Sequence, residues 1–300
     1  LDASAETGVW FPMGIDGDFP EDQRIADGQS LCFDMETQTE PAEILGHPQL
    51  KLEISVNQPL ALVAARLCDV SPQGDSLLVS WGLFNLCHHR SHENPEPLIP
   101  NQKIQVEFPL RACAHRLLPG HRWRLSLSTS CFPHAWPSPE LVELQVHPGN
   151  NTFLTLPVRE KNDSQTPRFE PAESSIPLDN KILDQARRNR VVSRNAANGK
   201  TVLEDQNHSG RVLFQDSGLE MEDKASDRLE ITKDHPLSMI TECHRTASIG
   251  RGDWQTRIET KSRMTSDEMN FYLENHLEAY ENDHVVFQKS WKTSVPRSFV

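Results

Sequence analysis

The chain has 300 residues, of which 36% are hydrophobic and 24% charged, with a formal net charge of -13. That length and apolar content suffice for one large core or two ordinary ones and exclude a wholly disordered chain. The acidic balance argues against nucleic acid and anionic membranes as partners, and no apolar run approaches the ~18 residues of a membrane-crossing helix.

The chain opens at Leu1 with an acidic stretch, without the basic and then apolar pattern of a secretory signal. A first residue other than Met suggests a fragment or a processed chain. Val9-Trp10-Phe11-Pro12-Met13 is a bulky apolar cluster with few strand partners nearby. Such a surface wants either its own core or another domain. Asp22-Gln23-Arg24 follows in a polar loop, where Arg24 is expected to form a local ion pair with Glu21 or Asp22 of little energetic worth.

From there to residue 160 the pattern is that of strands. Leu50, Leu52, Ile54 and Val56 alternate with polar residues, as do Ile104 to Leu110, Trp123 to Leu127 and Val142 to Val146. Period two is the signature of a half-buried strand. Leu60 to Val70 and Leu77 to Leu86 are nearly continuous apolar runs, expected of central strands covered on both faces. Turn residues punctuate them at Asn57 to Pro59, Pro72 to Asp75, Pro95 to Asn101, Pro119-Gly120 and Pro137 to Pro139. Short strands at this spacing predict an all-β sandwich or jelly roll.

Composition shifts near residue 160. Residues 1–160 carry 20 acidic and 10 basic side chains, and residues 161–300 carry 23 and 20. The proline-rich polar stretch 161–177 is expected to be a linker or surface loop. Residues 178–300 alternate again, with more charge outward, and read as a second antiparallel β domain or extension. Asn198-Gly199 signals a two-residue hairpin turn. Trp254, Thr256, Ile258, Thr260 and Ser262 share one face of a strand. Met269 to Tyr280 fits either a helix or a strand, and its strand neighbours favour the strand.

Cys32, Cys68, Cys87, Cys113, Cys131 and Cys243 are scattered, with no C-x-x-C pair. Reduced, buried thiols in a cytoplasmic setting are expected.

The motifs of catalysis are missing. No G-x-S-x-G elbow, P-loop, G-x-G-x-x-G or H-E-x-x-H occurs. His88, His89 and His92 are the densest histidine group, but neighbours on a strand point to opposite faces, so a strand end and polar loop is expected instead of a metal site. His115, His121 and His134 could serve a cupin-like metal centre only if the fold made them converge. Arg251-Gly252-Asp253, an adhesion-type tripeptide, is expected to be a tight turn. Phe132 to Pro139 is a rigid aromatic loop holding Phe132, His134 and Trp136, which either lines a ligand pocket or dock, or plugs the sandwich core. Trp81, Trp123 and Trp136 would form a sugar platform only if at least two were exposed and coplanar. No cofactor and no metal is expected.

Several segments resemble a known family. Thr7–Asp34 (TGVWFPMGIDGDFPEDQRIADGQSLCFD) is similar to the start of the C-terminal β domain of X-Pro dipeptidyl-peptidases and cocaine-esterase-type (CocE/NonD) serine hydrolases. EILGHPQLKLEISVNQPLALVAARLCDVSPQGDS, HRSHENPEPLIPNQKIQVEFPL, PGHRWRLSLSTSCFPHAWPSPE and LPVRE extend the match in order. LEITKDHPLSMITECHRT and GRGDWQTRIETKSRMTSD resemble the tail of some bacterial members. The resemblance implies a galactose-binding-like jelly roll over 1–160. It also implies an upstream α/β-hydrolase domain as partner, bearing the Ser, Asp and His of the chemistry, and leaves this chain non-catalytic. Trp10 and Phe11 match an apolar pair that reaches the substrate pocket. The parent activity would be hydrolysis of X-Pro peptides or esters, with homo-oligomerisation open. A stand-alone carbohydrate- or ligand-binding module is the alternative.

Overall fold

The computed structural model describes residues 1–159 and 168–300. Residues 161–167 of the expected linker 161–177 lie outside them, and its described part, 168–177, is exposed and carries no strand.

Within residues 1–159, a short helix α1 (Arg24–Asp27) precedes β1 (Leu31–Asp34), β2 (Ala42–Gly46), β3 (Gln49–Val56), β4 (Leu62–Val70), β5 (Ser76–Asn85), β6 (Ile104–Pro109), β7 (Cys113–Leu117), β8 (Arg122–Ser128), β9 (Leu144–Val146) and β10 (Phe153–Thr155). One antiparallel sheet runs β1-β8-β4-β5. The other runs β10-β3-β6, with β9 also on β3, and β2 pairs with β7. The alternating residues foreseen in the sequence supply the inner faces. Leu50, Leu52 and Ile54 of β3 and Val106 and Phe108 of β6 meet Val63, Ala65 and Leu67 of β4 and Trp123, Leu125 and Leu127 of β8. Each large aliphatic there contributes ~1.5–3 kcal/mol relative to exposure. The result is the all-β sandwich expected.

β4 is buried along its whole length. Its outer face is covered by the chain start and by the loop after β8. Arg66 of β4 donates to the Ala3 carbonyl, and Ala64 packs with Trp81 and Cys131. β5 departs from expectation. It lies at the sheet edge and Leu77 stays exposed, because an edge strand lacks a neighbour on one side.

Residues 168–300 contain β11 (Asn180–Asp184), β12 (Arg187–Asn195), β13 (Lys200–Phe214), β14 (Leu219–Thr232), β15 (His235–Arg251), β16 (Trp254–Ser266), β17 (Asn270–Glu281) and β18 (His284–Pro296). β11 and β12 both pair with β13, and the rest follow as hairpins in chain order. The ambiguous 269–280 stretch is strand β17. The hairpin at Asn198-Gly199 forms, but with a four-residue loop. Asn195 pairs with Lys200, and Gly199 takes φ +68°. Arg251 pairs with Trp254 around Gly252-Asp253, the tight turn expected there.

This sheet is a single layer over much of its extent, and β18 is exposed throughout. Its deepest residues lie at one end. Leu203, Ile231 and Met239 share a buried cluster with Ala5 and Phe132 of the first part. The thiols are free. Cys68, Cys87 and Cys131 are buried, while Cys32, Cys113 and Cys243 are half-buried, short of full burial for all six.

Candidate docking and pocket-wall site

The chain start folds as a loop whose geometry is set by Gly8 and Asp18. Gly8 takes φ +78°, and a Cβ there would stand 2.4 Å from the Asp18 carbonyl oxygen. Only glycine fits both demands. The loop closes by Val9 N–H donating to that oxygen at 3.0 Å. The Asp18 carboxylate, 2% exposed, accepts from Met13 N at 2.7 Å and Ile15 N at 3.4 Å. Arg188 of β12 donates to its other oxygen. Burial alone would raise the Asp18 carboxyl. The two amides and the guanidinium outweigh it and hold the group below the usual carboxylate range.

Arg188 is itself held, donating to both oxygens of Asp205 at 3.2 and 2.9 Å. Arg190 donates to Asp205 at 2.7 Å and to the Gly8 carbonyl at 3.2 Å. Farther along β12, Arg194 binds Asp2 at 2.9 Å and also Glu6. One strand of the second region therefore presents a row of arginines to the acidic chain start. The negative charge noted there is paired in the fold.

A second polar nexus anchors α1. Asp27, buried, accepts from Ser76 at 2.7 Å, Ser126 at 2.8 Å, Arg124 at 3.2 Å and Arg66 at 3.3 Å. Gln23, fully buried, donates to the carbonyls of Glu6 and Glu21. Arg24 pairs with Asp22 at 2.9 Å and with Asp75 at 3.5 Å, so Asp75 takes the place foreseen for Glu21. These contacts are exposed and of little weight.

On this frame the loop presents an apolar surface. Trp10 is 52% exposed, Phe11 77% and Met13 81%, and Ile15 and Phe19 are exposed beside them. Trp10 is not loose. Its ring meets Trp81 edge-on at 5.0 Å and His134 at 5.8 Å. The Arg111 guanidinium lies 4.9 Å from both indole centroids, a cation–π arrangement. The Thr7 hydroxyl donates to the Ser4 carbonyl at 2.7 Å. His134 Nε2, 2.9 Å from the same oxygen, is then the donor to Thr7. Burial, with Arg190 and Arg111 nearby, pushes the His134 pKa down to about 4, so the ring is neutral.

The aromatic loop residues are divided among neighbours. Phe132 is buried in the core cluster shared by the two parts. His134 joins Trp10. Trp136 donates to Ser266 Oγ at 2.9 Å and meets Phe271 edge-on. Phe132 thus behaves as a plug, and His134 and Trp136 are half-buried supports. The sugar platform does not form, since Trp81 and Trp123 are buried.

The histidines do not converge as a cupin centre. His115 Nε2 and His121 Nδ1 lie 2.8 and 2.7 Å from the two oxygens of Asp69, and His134 belongs to the Trp10 cluster. His88 ends a 3-10 turn, Leu86–His88, and its Nδ1 lies 3.4 Å from that of His92 at the surface.

Sequence reasoning missed the arginine row and the Asp27 nexus. Arg66 and Asp69 inside the apolar run of β4 were the available signal, since buried charges require partners. Nothing local links Asp18 to Arg188, 170 residues apart.

Fold and site together define an all-β sandwich that presents an exposed, stiffened apolar loop. A family profile described as the X-Pro dipeptidyl-peptidase C-terminal non-catalytic domain matches residues 2–192, and the chain belongs to that family. That family is the non-catalytic C-terminal domain of X-Pro dipeptidyl-peptidases. Cocaine esterase of Rhodococcus sp. (strain MB1 Bresler) is 30% identical over 116 residues, covering 38% of this chain and 20% of the esterase. An α-amino acid ester hydrolase structure is 28% identical, with TM-score 0.44, covering 46% of this chain and 27% of its own. An aminopeptidase structure from a marine sediment Thaumarchaeota archaeon is 21% identical, with TM-score 0.45, covering 47% of this chain and 28% of its own. The chain thus spans between a fifth and about three tenths of these relatives. Among the described residues, no helix is long and apolar enough to cross a membrane.

Proposed function

We propose that this chain is the C-terminal portion of a longer serine hydrolase of peptides or esters. It packs on an upstream α/β-hydrolase domain through the Val9 to Phe19 loop and sets Trp10 and Phe11 in the wall of the substrate pocket. The observation that carries this is the pairing of opposite properties in one loop. Its backbone is held by buried charges, yet its large apolar side chains face outward. A free loop would collapse to hide Phe11 and Met13, whereas a stiffened one keeps them ready for a partner at low entropic cost. A wall of this kind excludes water from an acyl-enzyme. The sandwich is read as a galactose-binding-like jelly roll, with 178–300 as its extension. The free thiols favour a cytoplasmic setting.

The test is kinetic. In the full-length polypeptide, Trp10→Ala and Phe11→Ala should lower kcat/KM for an X-Pro anilide or a p-nitrophenyl ester, with only a small change in melting temperature. Unchanged kinetics with both substrates would remove the pocket-wall role.

A further inference from the structure

Apart from the loop described above, a second cluster lies where β11, β13 and β14 meet. We propose that Asp184, His208 and Glu222 form a binding site for a divalent transition-metal ion of the zinc type. Their donor atoms lie within 4.8 Å of one another, the sole such group of three metal-donor side chains among the described residues. His208 Nε2 is 2.8 Å from Glu222 Oε1, and His208 Nδ1 is 3.7 Å from Asp184 Oδ2.

Two independent features mark this as more than a surface ion pair. His208 is 6% exposed, and its Nδ1 has no hydrogen-bond partner. A buried imidazole normally satisfies both nitrogens, and an orphaned one needs an explanation. Here the orphan faces the Asp184 carboxylate beyond hydrogen-bond range, at the distance of two donors flanking an ion. The backbone is also built around the group. β13 carries a bulge between His208 and Arg211, where pairing passes from β12 to β11. Bulges re-aim side chains and recur beside functional sites. Gly210 in that bulge takes φ +84°, and a Cβ there would stand 2.7 Å from the Asp184 carbonyl. The same close approach that requires glycine brings Asp184 to His208.

The donor set is one nitrogen and two carboxylates, which suits zinc and its neighbours better than calcium or magnesium. Three protein donors leave a further position for water. Lys224 Nζ is 3.1 Å from Glu222 Oε1 and Arg187 is 3.3 Å from Asp184. Both are exposed on long stems and can swing aside as the ion takes over their carboxylates. The bound ion would fasten β11, which pairs with β13 over only a few residues, to the bulge.

Titration of the 300-residue chain with Zn²⁺ by calorimetry, and with Co²⁺ by visible absorption, tests the site. One ion per chain is expected, with a Co²⁺ spectrum of a low-coordinate N/O site and a rise in melting temperature on adding Zn²⁺. His208→Gln and, separately, the more exposed Glu222→Gln should each weaken binding at least ~10-fold and remove the Co²⁺ bands. The double substitution His88→Gln/His92→Gln should leave both unchanged. Absence of stoichiometric binding, binding that survives His208→Gln and Glu222→Gln, or binding lost in the His88/His92 variant would overturn the proposal.

Discussion

Arg188 and Asp18 form an ion pair across 170 residues of sequence, and the carboxylate is buried where it meets the guanidinium. Asp18 shapes the loop bearing Trp10, Phe11 and Met13. Arg188 belongs to β12, so the second region determines how the first presents its apolar surface. Removing one partner leaves the other charge buried and uncompensated, which costs ~3–5 kcal/mol. Arg188→Ala should lose stability on that scale in urea unfolding and open the loop to protease cleavage between residues 9 and 17. A change below 1 kcal/mol with unaltered proteolysis would show that the pair does not hold the loop.

Gly8 closes the same loop from the other side. Gly8→Ala requires a left-handed residue and a backbone contact at 2.4 Å. It should destabilise by more than ~1 kcal/mol and alter Trp10 fluorescence. Ala substituted at Gly74, also at positive φ but with nothing within 4 Å, should cost less. Equal costs would mean that strain alone, and not the approach to Asp18, governs the position.

Acid should act in two stages. The His134 pKa is about 4 in the folded chain against ~6.5 unfolded. Between those values the unfolded chain binds a proton that the folded chain refuses. Stability therefore falls as pH drops from 6.5 to 4 and loses nothing further through this group below 4. Asp34 behaves differently. Hydrogen bonds from Arg124 and then Arg122 bring its pKa to about 2. Its contribution is complete above the unfolded value of ~3.9 and is lost as pH falls toward 2, modestly, because the pair is partly solvated. Urea midpoints at pH 7, 5 and 3 should show both stages, and His134→Gln should flatten only the first. A His134→Gln profile parallel to the parent's would contradict the assignment.

Leu203 and Met239 of the second region share a core with Phe132 of the first. Leu203→Ala should cost ~2–5 kcal/mol and shift a single unfolding transition seen by both calorimetry and tryptophan fluorescence. Two separated transitions, with only one displaced, would show that 178–300 folds independently.

Much of the fold was legible because it rests on period two. β3, β6, β8 and β16 were read from alternation, since a half-buried sheet imposes that pattern on each strand locally. β5 was overread. A continuous apolar run does not distinguish a central strand from an edge strand, and strand order is a long-range property. The loop at Asn198-Gly199 was placed correctly but shortened, because the dipeptide marks a turn without fixing the preceding residue that pairs. In the candidate site, Trp10 and Phe11 were singled out by bulk in a polar setting. Arg188 and Asp205 were not. Their significance comes from contacts across the two regions, and charged residues on an amphipathic strand look solvated until a partner is brought to them. His208 was passed over for the same reason, while the denser His88-His89 pair drew notice by proximity in sequence alone.

The proposed role requires that this chain carry no hydrolytic centre of its own and serve one that lies elsewhere. Incubating the purified chain with a fluorophosphonate serine probe, alongside a Gly-Pro anilide and a p-nitrophenyl ester, tests it most directly. The prediction is no labelled serine and no turnover by the 300-residue chain, with labelling in the full-length polypeptide at a serine outside it. Stoichiometric labelling of one serine within the chain would contradict the claim.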